Sequence, residues 1–298
     1  MKSKNNIELI NIGVALPQTV VNTSTIAHWT GKDQKFIEQK IGVKNRRFLK
    51  ECESGEDLAS NAIENLFQQV SVDVKNVGLL VVVTQNPDTR IPHMSATIQR
   101  RCGFSDQTGC FDIGLGCSGY VYGLSVMRGM MVSERIEYGV LVTCDPYSKI
   151  MKKSDQDTVP VFGDAATATL LKLSGDGNLG QSDFGTDGGG AEHLCLKRSG
   201  TVFSGRISSL WSDLGSNDCE SLHMNGRAIF NFMISRVPVT LKKCCEKNSI
   251  SLDDVDLFIF HQASEFLLKN LCKLLKISPE KVPILLESTA NTVSSSIP

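Results

Sequence analysis

Residues 71–82 read Ser71-Val72-Asp73-Val74-Lys75-Asn76-Val77-Gly78-Leu79-Leu80-Val81-Val82. Residues 249–260 repeat this apolar pattern without a gap, as Ser249-Ile250-Ser251-Leu252-Asp253-Asp254-Val255-Asp256-Leu257-Phe258-Ile259-Phe260. Each copy follows a long helical pattern and precedes a second helix and a second strand, an alternation typical of α/β folds. Any two βαβ units resemble each other to some extent, but a match of this length favours duplication. The repeat therefore predicts an α/β protein made of two copies of one βαβ unit.

The rest of the chain continues the alternation. Strands are predicted at residues 7–14, 77–84, 109–115, 138–143, 166–173, 257–261 and 282–287, and helices at residues 56–70, 95–102, 118–132, 227–246 and 265–275. A turn at residues 175–178 predicts the boundary between an N-terminal half, 1–174, and a C-terminal half, 175–298. Few residues follow the second copy, so we expect the C-terminal half to be cut short compared with the first.

Composition excludes several classes of protein. The chain has 298 residues, is 41% hydrophobic and has a formal net charge of −1, which argues against nucleic acid or an anionic membrane surface as the main partner. No apolar run approaches the roughly 18 residues of a membrane span. The ten cysteines form no CxxC pair, so neither a zinc site nor a secreted disulfide framework is expected. With no signal-peptide pattern at the N-terminus, we expect a cytoplasmic protein.

Cys117 is the first candidate for chemistry. It lies in the run Cys110-Phe111-Asp112-Ile113-Gly114-Leu115-Gly116-Cys117-Ser118-Gly119-Tyr120, where an apolar strand passes into a predicted helix. The positive end of the helix dipole favours a thiolate at this corner, and the flanking glycines let a substrate come close. The alternative is one more buried structural cysteine. The pattern favours a nucleophile with a lowered pKa.

His261 and Asn291 are the other two candidates. His261 ends the repeated strand of the second copy, and Asn291 ends the strand that corresponds to the one before Cys117. Catalytic groups in α/β sheets gather beyond the carboxyl ends of strands, so all three side chains are expected in one crevice. Taken singly, a histidine after an apolar strand is a common structural residue, and such an asparagine is a common turn residue.

Several motifs, taken together, resemble one known family. They are Gly13-Val14-Ala15-Leu16-Pro17, Lys40-Ile41-Gly42-Val43, Thr84-Gln85-Asn86-Pro87, the Cys117 run, Phe162-Gly163-Asp164-Ala165, Met224-Asn225-Gly226, His261-Gln262-Ala263, and Asn291-Thr292 with Ser296-Ile297-Pro298. In this order they are similar to the β-ketoacyl-ACP synthase III family of the thiolase superfamily, over the whole chain. The resemblance implies a duplicated, five-layered α-β-α-β-α fold with pseudo-twofold halves.

The resemblance also implies a reaction. Cys117 would be acylated by an acyl-CoA or acyl-ACP; a malonyl thioester would then lose CO₂, and the enolate would attack acyl-Cys117 to give a β-ketoacyl product. Decarboxylation places negative charge on the thioester oxygen, so neutral His261 Nε2–H and the Asn291 amide suit the site as donors. Thioesters of CoA or phosphopantetheine are the substrates in this scheme, and no metal or cofactor is expected.

A substrate-binding set follows from the same resemblance: Phe36, Lys40, Ile91, Gln156, Asn225, Phe230, Ala263, Ser264 and Leu267. Phe36 and Gln156 match a tryptophan and an arginine that sandwich the CoA adenine in housekeeping members. Phe36 can still stack, but Gln156 is no cation. Ser264 replaces an asparagine of the pantetheine tunnel. These departures favour a specialised paralogue with an unusual acyl group.

Partners are implied in the same way. Phe266 stands where the family has a carrier-docking arginine, while Lys269 and Lys273 are expected to meet an acidic carrier protein; a solvated helix face is the alternative. The family builds the floor of its acyl pocket across a homodimer interface, from the loop before the proline matched by Pro92. Arg90 or His93 of that loop could bind a polar acyl chain, or could simply lie at the surface.

Two other functions stay open from the sequence. One keeps the fold but transfers the Cys117 acyl group to an amine or hydroxyl, with His261 as general base. The other is a non-catalytic partner subunit or inactive fragment, which the short C-terminus suggests. Retention of all three polar residues argues against the second.

Overall fold

The structure is a computed structural model and describes residues 5–196 and 221–298. Its strands are β1 Asn6–Ala15, β2 Thr19–Asn22, β3 Asn45–Phe48, β4 Val77–Val83, β5 Gly109–Ile113, β6 Tyr138–Cys144, β7 Ala166–Ser174, β8 Leu194–Leu196 and β9 Leu222–Met224. Its α-helices are α1 Thr23–Thr30, α2 Gln34–Phe36, α3 Gly55–Phe67, α4 Met94–Arg101, α5 Gly119–Ser133, α6 Gly226–Lys247 and α7 Glu265–Leu275. A π-helical turn, Ile37–Ile41, continues α2, and a 3₁₀ turn, Val293–Ser296, lies near the end of the chain.

A five-stranded sheet forms the framework of the N-terminal half. Its strand order is β1-β7-β6-β4-β5, with β4 parallel to both β5 and β6, and β7 antiparallel to both β6 and β1. The parallel strands are connected by α4 and α5, the helical crossovers that parallel pairing requires. The carboxyl ends of β4, β5 and β6 therefore meet at one edge, where Cys117 follows β5.

Helices cover both faces of this sheet. On one face, α3 and α4 pack against alternate residues such as Leu80 and Val142. On the other face, α5 packs through Met127 and Met131 against the intervening residues, such as Val81 and Leu141. All five predicted helices are confirmed, and their observed ends differ from the predicted ends by at most three residues.

The C-terminal half departs from the predicted strands. Residues 257–261 and 282–287 lie outside the hydrogen-bonded strands, so these two strand predictions are wrong. Phe258 and Val282 are buried in a cluster that also includes Cys272 of α7, whereas Leu257, Ile259 and Leu285 are 51%, 52% and 68% exposed. Exposed and buried side chains alternate here, but a strand also requires a hydrogen-bonded neighbour, which an apolar run in the sequence does not report.

The other predicted strands are confirmed within one or two residues of their ends. The division of the chain at residue 174 stays a prediction. Within residues 5–196 and 221–298, no helix is both long enough and apolar enough to cross a membrane.

Candidate active site

Cys117 lies at the corner between β5 and α5, as predicted. Ser118 is the N-cap residue of α5, which begins at Gly119. The half-buried thiol packs against a cluster formed by Tyr147, Phe162, Leu222 and Val293. Helix α5 approaches the sheet closely here, because a Cβ on Gly119 would lie 2.3 Å from Val83 Cγ1. Gly119 therefore serves helix packing, whereas the sequence suggested that it gives a substrate access.

The electrostatics of Cys117 differ from the prediction. Burial, and next the negative charge of Asp145, raise the pKa of the Cys117 thiol to about 12, and a main-chain hydrogen bond opposes them only in part. A helix N-terminus is worth about 0.3–1 kcal/mol, less than one pKa unit, whereas desolvation can shift a pKa by up to about 3–5 units. The predicted lowering of the Cys117 pKa is therefore wrong, because desolvation outweighs the helix dipole.

Asn291 is held by its main chain and its side chain. Its N–H donates to Val161 O at 3.0 Å, and its own carbonyl accepts Gly163 N–H at 3.0 Å. Its side-chain Oδ1 accepts Val293 N–H at 2.9 Å. The Nδ2 of the same carboxamide lies about 120° around the carbon from Oδ1, so it takes no part in the bond to Val293 N–H and remains a donor. The amide is 4% exposed, so this donor acts in a desolvated environment.

The backbone beside Asn291 is strained. Ala290 has φ 62° and Val293 has φ 55°, in the left-handed region that a β-branched residue rarely adopts. Such conformations cost about 1–3 kcal/mol and persist where surrounding contacts enforce them, frequently at functional sites. The hydrogen bond from Val293 N–H to Asn291 Oδ1 is one of those contacts.

His261 is neutral at ordinary pH. Burial lowers the pKa of the imidazole to about 4, and a hydrogen bond with the Val293 main chain opposes this only in part. Its Nδ1 lies 2.6 Å from Ser296 Oγ. A neutral imidazole has a single N–H, which is the donor that the sequence analysis required of this residue.

The three predicted residues converge on Val293. The Val293 side chain belongs to the cluster that holds Cys117, its N–H is bound by Asn291, and its main chain lies close enough to His261 to raise the pKa of the imidazole. A Cβ on Gly116, which precedes Cys117, would lie 3.2 Å from Val293 Cγ1. One turn of the chain thus connects a sulfur, an imidazole and a carboxamide.

Asp145 is a site residue that the sequence analysis missed. It follows β6, is completely buried, and accepts Gln85 N–H at 2.7 Å and the Ser294 hydroxyl. Burial raises the pKa of this carboxyl to about 6. Its position at the carboxyl end of a strand, the same signal that indicated Cys117, could have found it.

Lys32 is a second missed residue. Its Nζ donates to the main-chain oxygen of Gln156 at 2.9 Å and lies 5.3 Å from the centroid of the Phe36 ring. Phe36 is 44% exposed. The Lys32 ammonium therefore bridges Phe36 and Gln156, the two residues predicted to hold the adenine. Lys32 lies in the loop before α2, a position that the family resemblance did not indicate.

The residues predicted along the substrate tunnel form aromatic contacts, cap helices or are buried. Lys40 Nζ lies 5.3 Å from the Phe266 ring, and Phe266 lies 5.5 Å from the ring of Phe230. Ser264 and Asn225 cap helices α7 and α6 with their side-chain oxygens. Leu267 is buried, and the N–H of Ala263 donates to His261 O in a tight turn at 2.9 Å. Their roles toward a substrate stay predictions.

The predicted partner surfaces lie on the outside. Ile91 is 94% exposed, beside the cis peptide bond to Pro92. On α7, Lys269 forms an ion pair with Glu265 one turn earlier, and Lys273 is exposed in the last turn. These roles also stay predictions.

Comparison with known proteins adds an independent result. Family models described as 3-oxoacyl-(acyl-carrier-protein) synthase III and its C-terminal part match residues 111–188 and 245–298. A curated β-ketoacyl-(acyl-carrier-protein) synthase III from Streptococcus sanguinis is 31% identical over 95% of this chain and 84% of its own length. One from Clostridium beijerinckii is 29% identical over 98% of this chain and 88% of its own length.

Solved structures agree. A 3-oxoacyl-(acyl-carrier-protein) synthase III is 32% identical and superposes with a TM-score of 0.90 over 98% of this chain and 89% of its own. A 3-oxoacyl-(acyl-carrier-protein) synthase from Burkholderia xenovorans is 27% identical, with a TM-score of 0.88 over 98% of this chain and 83% of its own. These superpositions confirm the predicted α/β fold class, the duplicated thiolase-like fold.

Proposed function

Since the chain belongs to the 3-oxoacyl-(acyl-carrier-protein) synthase III family, we propose that it catalyses a decarboxylative Claisen condensation of acyl thioesters. It is an enzyme of the condensing type, and Cys117, His261 and Asn291 carry the reaction. The observation that carries this proposal is the convergence of the three side chains on Val293. CoA and phosphopantetheine thioesters are the substrates.

The first half-reaction is acylation. The sulfur of Cys117 attacks the carbonyl carbon of an acyl thioester, the carbon–sulfur bond of the donor breaks, and the departing thiol takes up the proton that Cys117 loses. Because burial raises the pKa of Cys117 to about 12, little thiolate is present beforehand. The proton must therefore leave as the carbon–sulfur bond forms.

The second half-reaction is decarboxylation and condensation. The carboxylate carbon of the malonyl group leaves as CO₂, and its bonding electrons move into the thioester carbonyl as an enolate. The His261 N–H and Asn291 Nδ2 donate to that oxygen, and each such donor is worth about 2.7–4 kcal/mol in an oxyanion hole. The enolate carbon then bonds to the acyl carbon, the bond from that carbon to the sulfur of Cys117 breaks, and the released thiolate takes a proton from solvent.

Release of labelled CO₂ from a malonyl thioester carrying ¹⁴C in its free carboxyl group tests the proposal. Wild-type protein should release CO₂ and, by intact mass, gain an acyl group on Cys117. Cys117→Ala should lose the acyl group but keep decarboxylation, because the sulfur takes no part in that step. Asn291→Asp should reduce CO₂ release about 10²–10³-fold, since it loses a donor and places a negative charge beside the enolate.

Other outcomes point to the alternatives. Acylation followed by transfer to an amine or hydroxyl without CO₂ release would establish the simple acyltransferase. Absence of both acylation and CO₂ release would establish the non-catalytic partner subunit. Nothing in the site or in the comparisons favours either.

We also propose two partners, a second copy of this chain and an acyl carrier protein. The exposed Ile91 loop supports a homodimer that completes the acyl pocket. So does β5, which is an edge strand of the sheet among residues 5–196 and 221–298, because an edge strand is a template for a second chain. Lys269 and Lys273 are assigned to carrier-protein docking. The described cysteines other than Cys195 are free thiols, which supports a reducing, cytoplasmic setting.

A further inference from the structure

Three consecutive serines lie in the 3₁₀ turn that contacts both Cys117 and His261. Ser294, Ser295 and Ser296 form the 3₁₀ turn together with Val293. A 3₁₀ helix has three residues per turn, so three consecutive side chains point in directions about 120° apart. Each hydroxyl therefore meets a different part of the molecule.

Two of the serines anchor the turn. Ser294 Oγ donates to the buried carboxylate of Asp145. Ser295 Oγ lies 2.8 Å from Thr143 Oγ1 and 3.2 Å from each of the main-chain oxygens of Thr143 and Ala165, which are alternative acceptors for its single proton. Both serines are buried, so the turn is fixed to the carboxyl end of β6 and to the residue before β7.

The third serine meets the imidazole. Ser296 Oγ lies 2.6 Å from His261 Nδ1, and it accepts Gln262 N–H at 3.4 Å. A hydroxyl has one proton to donate and two lone pairs to accept with. Gln262 N–H occupies one of the two lone pairs, and the Ser296 O–H can point to Nδ1. If Nδ1 accepts that proton, the single imidazole proton lies on Nε2.

We propose that Ser296 is a positioning residue that holds His261 in the Nε2–H tautomer, on a turn that Ser294 and Ser295 fix in place. The catalytic consequence rests on the proposed function, because only in this tautomer does Nε2 present an N–H to the enolate oxygen. In the other tautomer a lone pair would face that oxygen and repel it. The tautomer itself does not depend on the reaction.

Nitrogen NMR of protein labelled with ¹⁵N-histidine tests the tautomer directly, because protonated and unprotonated ring nitrogens resonate at different shifts. The chain has five histidines, and His261→Gln identifies the signals of His261. Wild-type protein should show a protonated Nε2. Ser296→Ala should shift the population toward the Nδ1–H form, and Ser296→Thr, which keeps a hydroxyl, should restore it.

Ser295→Ala is the matched control. It removes a neighbouring hydroxyl from the same turn and leaves the His261 contact, so it should change the stability of the turn but not the tautomer. A wild-type signal with the proton on Nδ1, or a Ser296→Ala spectrum identical to wild type, would overturn the proposal. So would an equal tautomer shift in Ser295→Ala.

Kinetics give the second readout. Ser296→Ala should lower kcat for CO₂ release roughly three- to tenfold, the loss expected when one hydrogen bond no longer selects the productive tautomer. KM for the malonyl thioester should stay constant, and Ser296→Thr should recover most of kcat. If wild-type protein shows protonated Nε2 but releases no CO₂, the proposed function fails while the tautomer assignment stands.

Discussion

Two opposing electrostatic effects meet at the thiol of Cys117. The N-terminus of α5 stabilises a thiolate, while burial and the charge of Asp145 destabilise it, and the second pair prevails. A cysteine of this kind resists alkylation and oxidation in the resting state, because both reactions require thiolate. It reacts where a bound thioester accepts the electrons as the proton leaves.

The rate of alkylation of Cys117 by iodoacetamide measures this balance. The rate should rise about tenfold per pH unit from pH 7 to pH 10 without levelling, whereas an ordinary cysteine levels off near its pKa of about 8.5. Cys117→Ala supplies the background from the other cysteines. Asp145→Asn should lower the pKa of Cys117 and quicken alkylation at pH 8, since it removes a negative charge. A plateau below pH 8 in the wild type would contradict the raised pKa.

Lys32 gives a prediction on substrate recognition. If its ammonium and the Phe36 ring bind the nucleotide end of CoA, Lys32→Ala should raise KM for an acyl-CoA about three- to tenfold, within the range of a cation–π or charge contact. An acyl-pantetheine thioester lacks the nucleotide and should show no change. Lys35→Ala, on the same segment, is the control. An equal effect on both substrates would remove Lys32 from the nucleotide site.

At the scale of elements, α5 and the terminal turn place the reacting groups. The helix lies close to the sheet because Gly119 and Gly123 have no side chains; added Cβ atoms would lie 2.3 Å from Val83 and 2.8 Å from Leu141. The 3₁₀ turn Val293–Ser296 is held against the sheet by the Ser295 hydroxyl, which contacts Thr143 of β6. The site therefore depends on a helix that packs on one face of the sheet and on a short turn attached to β6.

A pair of glycine substitutions on α5 tests the first of these segments. Gly119→Ala should destabilise the fold by about 1–3 kcal/mol through overpacking and should displace Cys117, with a loss of acylation rate. Gly129→Ala lies on the same helix with nothing within 4 Å of its Cβ and should stabilise by about 0.5–1 kcal/mol through helix propensity. Urea unfolding measures both. Equal effects of the two changes would refute close packing at Gly119.

At the scale of the whole molecule, two buried groups make stability depend on pH in opposite directions. Burial lowers the pKa of His261 from 6.5 to about 4, so acid favours the unfolded state, which takes up the proton first. Burial raises the pKa of Asp145 from 3.8 to about 6, so the folded state takes up that proton first. Between about pH 6 and pH 4 the two effects largely offset each other.

Single substitutions should separate the two groups. Relative to wild type, His261→Gln should gain on the order of 2 kcal/mol of stability when the pH falls from 7 to 5. The variant lacks the buried imidazole, whose lowered pKa destabilises the folded wild type in acid. Asp145→Asn should lose about 1 kcal/mol over the same interval, since it lacks the favourable protonation below pH 6. Urea midpoints at both pH values measure the difference. Shifts of the same sign in the two variants would contradict the assigned pKa directions.

Much of this protein could be predicted from local pattern. The twelve-residue repeat, the small residues around Cys117 and the motifs at His261 and Asn291 indicated the fold class, the helices and the candidate nucleophile. Periodicity and strand ends are properties of neighbouring residues, so a sequence reports them directly.

Tertiary contacts decided the rest. The pKa values of Cys117, His261 and Asp145 depend on how much water the surrounding chain excludes, and the Lys32 bridge joins residues more than a hundred positions apart. Residues 257–261 show the same limit, since their apolar run is a local property but a strand requires a neighbour from elsewhere in the chain. Desolvation and pairing arise only when distant segments meet.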